Sequence, residues 1–114
     1  MWGGGTTEKI WDNTTYPTAQ GTITVSKDIS SYDGILVDVI WGDGDPITTT
    51  SYHQLEYFPK ERYSYSGNRI YIYNTYRNIT ISTSSIEFSG VGGSSSLNRV
   101  VPIAIYGVNN LTLN

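Results

Sequence analysis

The sequence predicts an all-β chain, an antiparallel β-sandwich of about seven to nine short strands. Three observations predict it. The 114 residues hold ten tyrosines and three tryptophans among many Thr, Ser, Ile and Val, residues that suit a pleated, half-buried surface. Alanine occurs only twice, and no stretch of ten or more residues carries a helical apolar period. Short alternating runs recur about every ten residues, separated by Gly, Asn, Asp, Ser and Pro.

A first short strand is expected near Thr7–Asp12, with Ile10 or Trp11 inward. The segment "NTTYPTAQG" reads as a loop punctuated by Pro17 and Gly21. Thr22–Ser26 alternates, Ile23 and Val25 on one face and Thr22, Thr24 and Ser26 on the other. Lys27–Asp33 is a polar corner. Its Asp28, Ser30 and Ser31 suit local backbone donors and one turn of helix, anchored by Ile29 and Tyr32. Gly34–Trp41 is the clearest strand: Ile35, Val37, Val39 and Trp41 share one face, Leu36, Asp38 and Ile40 the other. Two apolar faces indicate a central strand covered on both sides.

"GDGDP" marks a turn centred on Asp43-Gly44. Ile47–Leu55 follows as a strand, and "YFPKERYSYSGN" as a polar, aromatic connection. "RIYIYNTY" reads as one strand, Ile70 and Ile72 against Tyr71 and Tyr73. "NITISTS" and "SIEFSGV" are further strands, and "GVGGSSSLN" is a loop by composition. "RVVPIAIYGV" closes the set, with Val101, Ile103 and Ile105 on one face. Pro102 cannot donate to a ladder, so this strand is expected to begin at an edge or a bulge.

The length suits a single domain over residues 1–114 with a real core. With no cysteine, disulfides, cysteine-ligated metals and thiol nucleophiles are excluded. Net charge is −3 with no basic run, so no nucleic-acid partner is expected. No segment approaches the roughly 20 apolar residues of a membrane span, so no membrane insertion is expected.

Catalytic constellations are sparse. His53 is the one histidine, and no nucleophile elbow accompanies it. Ten acids make some close carboxylate pair inevitable, so a pair alone carries no weight. Asp43 and Asp45 suit a calcium loop or simply a hairpin turn, and the turn is preferred; no metal or cofactor is expected. Sequons at Asn13, Asn78 and Asn110 are unremarkable in so Asn- and Thr-rich a chain. Asp38 needs a partner on a covered strand. It is either a buried ligand or acid, or a carboxylate met by Arg62, Arg69, Arg77 or Arg99, by loop donors, or by a subunit contact. No enzymatic activity is expected.

Seven of the ten tyrosines fall between Tyr52 and Tyr76. Aromatic side chains with polar tips fit a binding surface, a subunit interface or cross-strand pairs on an exposed sheet. The ligand-binding candidates are Tyr57, Tyr63, Tyr65, Tyr71, Tyr73 and His53.

Order of motifs adds a resemblance. "GTITVSKDISSYDGILVDV", a strand, an Asp/Ile/Tyr corner and a second strand, resembles a segment that recurs in tail-fibre and minor structural proteins of bacteriophages and prophages. The ending "RVVPIAIYGV" resembles the closing strand of their C-terminal head domains, and "MWGGGTTEKIW" resembles their start. The middle, from Asp45 to Asn98, matches least. The resemblance implies a receptor-binding or fibre-tip β-sandwich without enzymatic activity, homotrimeric and joined to an N-terminal fibre shaft. It implies contact with host cell-surface glycan or protein, and a place on the virion, extracellular when functioning. On that reading the chain is the last piece of a longer fibre protein. The alternatives are a structural virion decoration or trimerisation cap that binds no receptor, and a carbohydrate-binding module of a secreted bacterial protein.

Overall fold

Two four-stranded antiparallel sheets face each other across one core. The computed structural model describes residues 5–13, 22–44, 47–92 and 99–109. Its strands are β1 (Thr6–Asp12), β2 (Thr22–Thr24), β3 (Gly34–Asp43), β4 (Thr49–Pro59), β5 (Arg69–Ile72), β6 (Thr75–Ile81), β7 (Ser85–Gly92) and β8 (Val100–Asn109). The first sheet runs β1-β8-β3-β4 and the second β2-β7-β6-β5. The predicted all-β sandwich is therefore observed, with strand number inside the expected range.

Alternation builds the core. Ile35, Val37 and Val39 of β3, Phe58 of β4 and Ile105 of β8 face Ile70, Ile86 and Phe88 of the second sheet, all buried. Each such side chain contributes about 1.5–3 kcal/mol by leaving water. The other face of β3 is covered only in part. Ile40 is buried with Ile47 and Val101, with Ile103 packed beside them, while Leu36 is half-buried.

The polar corner forms as its residues dictate. Asp28 caps a single 3-10 turn, Ile29–Ser31, accepting from the Ser30 amide at 2.8 Å and the Ser30 hydroxyl at 2.6 Å. Ile29 is fully buried, and its amide donates to Thr83 O at 2.7 Å, which ties the corner to the β6–β7 turn. The Tyr32 ring lies across Gly107, where any Cβ would collide with it. Its hydroxyl donates to Glu8 at 2.8 Å, and Lys27 pairs with Glu8 at 2.9 Å. One short loop thus holds β1, β3, β8 and the second sheet together.

Three expectations change. "RIYIYNTY" is a hairpin: β5 ends at Ile72, Tyr73-Asn74 makes the turn, and β6 starts at Thr75 opposite Ile72. Tyr73 accordingly has φ 55°, a left-handed backbone that glycine or asparagine adopts more readily. Strand β4 extends through Tyr57–Pro59, and the connection beyond it begins with a 3-10 turn, Lys60–Arg62. In β8, Pro102 opposes Val39 and Ala104 opposes Asp38, leaving Ile103 as an inserted residue. The expected bulge at Pro102 is there, within a central strand. It also splits the predicted apolar face, because Val101 packs with Ile40 while Ile105 enters the main core.

Burial raises the pKa of both Tyr32 and Tyr63, the nearby Glu8 adding to it at Tyr32 and the Tyr57 hydroxyl at Tyr63. An unfolded tyrosine ionises near pH 10 (about) while these stay neutral, so the folded state holds more protons and stability falls as pH rises past that point. Tyr63→Phe should flatten the decline between about pH 9 and 11, measured by urea unfolding across the range. An unchanged slope would remove Tyr63 from the alkaline transition.

Candidate functional site

The tyrosine-rich span reaches the surface in two places. The first is built where β3 ends, β4 begins and the β5–β6 turn crosses them. Trp41 and Tyr52 are cross-strand partners, with ring centroids 5.5 Å apart and near edge-on. Tyr73 comes from the hairpin turn of the other sheet. Its ring stacks on Tyr52 at 4.4 Å and 18°, and lies 4.8 Å from Trp41. Trp41 is buried beneath, whereas Tyr52 is 42% and Tyr73 59% exposed. The Arg99 guanidinium is 4.5 Å from the Trp41 ring, donates to Gly42 O at 2.9 Å and pairs with Asp43 at 2.9 Å. A left-handed non-glycine residue costs about 1–2 kcal/mol, and an aromatic pair contributes about 0.5–1.5 kcal/mol, so the stack offsets most of the turn's strain. The result is an exposed double ring on a rigid base, with a cation and a carboxylate alongside.

The second lies on the outer face of β5 and β6, where Tyr71 is 58% exposed and tilts against Tyr76 with centroids 5.6 Å apart. Tyr65 is equally exposed, with the Arg62 guanidinium 5.9 Å from its ring.

The remaining candidates lie elsewhere. Tyr57 is half-buried, its ring against Gly34, where a Cβ would overlap it. Tyr63 packs against the main core and lines a shallow depression of about 200 Å³ with Ser30, Ile81 and Thr83. Of the six sequence candidates, Tyr73 belongs to the double ring and Tyr71 to the second patch; Tyr52, Trp41 and Arg99 were missed. Tyr52 was legible as an outlying member of the tyrosine run. Its meeting with Tyr73 was not, because it depends on the unrecognised turn.

His53 and Asp38 meet inside a groove. It opens on the outer face of the first sheet, has a volume of about 380 Å³, and is lined by Thr7, Leu36, Asp38, His53, Leu55 and Tyr106. His53 Nε2 contacts Asp38 Oδ1; the Asp38 side chain is 10% exposed and that of His53 55%. Asp38 is therefore met by His53, a partner outside the alternatives weighed for it, which included the four arginines. Asp43 instead pairs with Arg99, and Asp45 lies outside the described residues. Among the described residues, no three metal-ligating side chains converge.

No family model matches this chain, and no curated protein matches it. What the geometry offers is exposed aromatic faces with hydrogen-bonding groups beside them.

Proposed function

We propose that this chain is a non-enzymatic attachment module, the head domain of a bacteriophage tail fibre that holds a host cell-surface saccharide. The observation that carries the reading is the Tyr52–Tyr73 stack: two rings kept in solvent on a buried Trp41 base, with Arg99 and Asp43 beside them. Sugar C–H faces pack on such π-faces, while neighbouring charged and amide groups bind hydroxyls. The tail-fibre setting rests on the likeness of the "SKDISSYDG" corner and the "IAIYGV" ending. In that setting the module is carried by an N-terminal shaft at the virion tip, and several copies multiply a weak single-site affinity.

Tyr73→Gly tests the reading because it separates binding from folding. Glycine relieves the left-handed strain while the stack is lost, so stability should change by less than about 1 kcal/mol. Binding on a glycan array and adsorption to host cells should fall by about tenfold, as should those of Tyr52→Ala, since one lost ring contact is worth about 1.4 kcal/mol. Unchanged adsorption in both variants would sink the attachment role.

A second reading has its own observation. Leu55 is half-exposed on the outer face of the first sheet, beside half-buried Leu36 and Tyr106. Such an apolar band suits contact between copies, as in a trimerisation cap without receptor binding. Sedimentation of the intact fibre as a monodisperse monomer would count against it.

A further inference from the structure

The outer face of the second sheet holds a constellation that the attachment reading does not use. Across β5 and β6, Arg69 directly opposes Asn78, and Tyr71 opposes Tyr76. Arg69 Nε donates to Asn78 Oδ1 at 2.9 Å, and the guanidinium carbon lies 4.2 Å over the Tyr76 ring. The Tyr71 hydroxyl also hydrogen-bonds Arg69, which holds the guanidinium's pKa above its ordinary value. A free surface arginine loses much of its rotamer freedom when fixed by a ligand. Here three neighbours have already fixed it, so that loss is met in folding.

The fork is not used up. Asn78 engages one of its five N–H groups, at Nε, and the side chain is exposed. Arginine in a fixed plane accepts a carboxylate through two parallel hydrogen bonds. Beside it, the exposed Tyr71 ring offers an apolar face. The rest of the outer face carries short polar side chains, Thr80, Ser89, Thr22 and Thr24 among them, exposed and on one level. Four strands spaced about 4.8 Å apart make that platform roughly 14 Å wide. Glu87 lies on it opposite Thr80, and the whole chain carries a net charge of −3. An anion is therefore held by local geometry at the Arg69 end and repelled elsewhere.

We infer that this face is a saccharide subsite for a carboxylate-bearing sugar: Arg69 takes the carboxylate, Tyr71 stacks on the ring, and Tyr76 and Asn78 position the arginine. The inference rests on the attachment reading and names a ligand class that the Tyr52–Tyr73 stack does not select.

Calorimetric titration of the intact chain with tri-galacturonate and with neutral galactotriose, at low and physiological salt, tests it. Wild type should bind tri-galacturonate about tenfold more tightly at low salt, and the preference should shrink as salt rises. Arg69→Gln should abolish the preference and leave galactotriose binding unchanged. Arg69→Lys should restore little of it, because an ammonium is a point charge without the planar fork. Asn78→Ala should weaken it several-fold. No preference in wild type, or a preference that survives Arg69→Gln, overturns the inference. A tri-glutamate peptide binding as tightly as tri-galacturonate would overturn the sugar assignment. Galactotriose binding that is lost in Tyr52→Ala, with no preference for the acidic sugar, would sustain attachment and reject this subsite; no binding of either sugar would reject both.

Discussion

Replacing Arg77 by alanine is expected to remove about 3–5 kcal/mol of stability, as much as truncating a buried aromatic ring. Arg77 is fully buried on the inner face of β6, in phase with Ile79 and Ile81. Its Nη1 donates to Val100 O at 2.6 Å, and the guanidinium lies 5.8 Å from the Phe88 ring. Burial pulls its pKa down to about 10. Truncation would leave a hole between the sheets and take this donor from a carbonyl of the first sheet. Arg77→Met fills much of the hole without replacing the hydrogen bond, so its loss should be nearer 1–2 kcal/mol (about). Urea unfolding midpoints at constant slope separate the two. An alanine variant within about 1 kcal/mol of wild type would show that the sandwich closes without this strut.

His53→Ala is expected to cost about 1–3 kcal/mol by stranding the nearly buried Asp38 carboxylate. The figure is modest because more than half of His53 is in water, which can partly replace the lost contact. Asp38→Leu should be tolerated far better, since the position is surrounded by Leu36, Leu55 and Ala104. In the Asp38→Leu background, His53→Ala should then change stability by less than about 0.5 kcal/mol. Equal losses in both backgrounds would mean that His53 acts through contacts other than Asp38.

The strand pattern and the corner were legible in the sequence because both are local. Asp28, Ser30 and Ser31 have partners within three residues, and Ile23, Val25 and Ile35 announce their face by alternation alone. What the sequence hid was set by pairing between distant segments. The β5–β6 turn lacks the usual Asn-Gly signal; it places a tyrosine where φ is positive, and the reason is a ring contact with Tyr52 on another sheet. Arg77 was considered only as a partner for Asp38, yet its phase with Ile79 and Ile81 was a readable sign that it points inward between the sheets. The Asp38–His53 pair is diagonal across β3 and β4, visible only once Ile40 is known to oppose His53. The candidate surface was legible as a region, residues 52–76, but not as two separate patches.

The position of β8 bears on how this chain comes to be folded. It is the last described strand, yet it lies between β1 and β3 in the first sheet. That sheet pairs Thr6 with Asn109, almost the full sequence separation available. During synthesis β1 must wait, without its one described sheet neighbour, until β8 has left the ribosome, although β3 and β4 can already pair. Such long-range closure places the chain among slow folders, in the millisecond-to-second regime of β-sandwiches. The tyrosines of both patches come from nearer neighbours on β4 to β6 and can meet early, whereas Arg99 joins them only when β8 arrives.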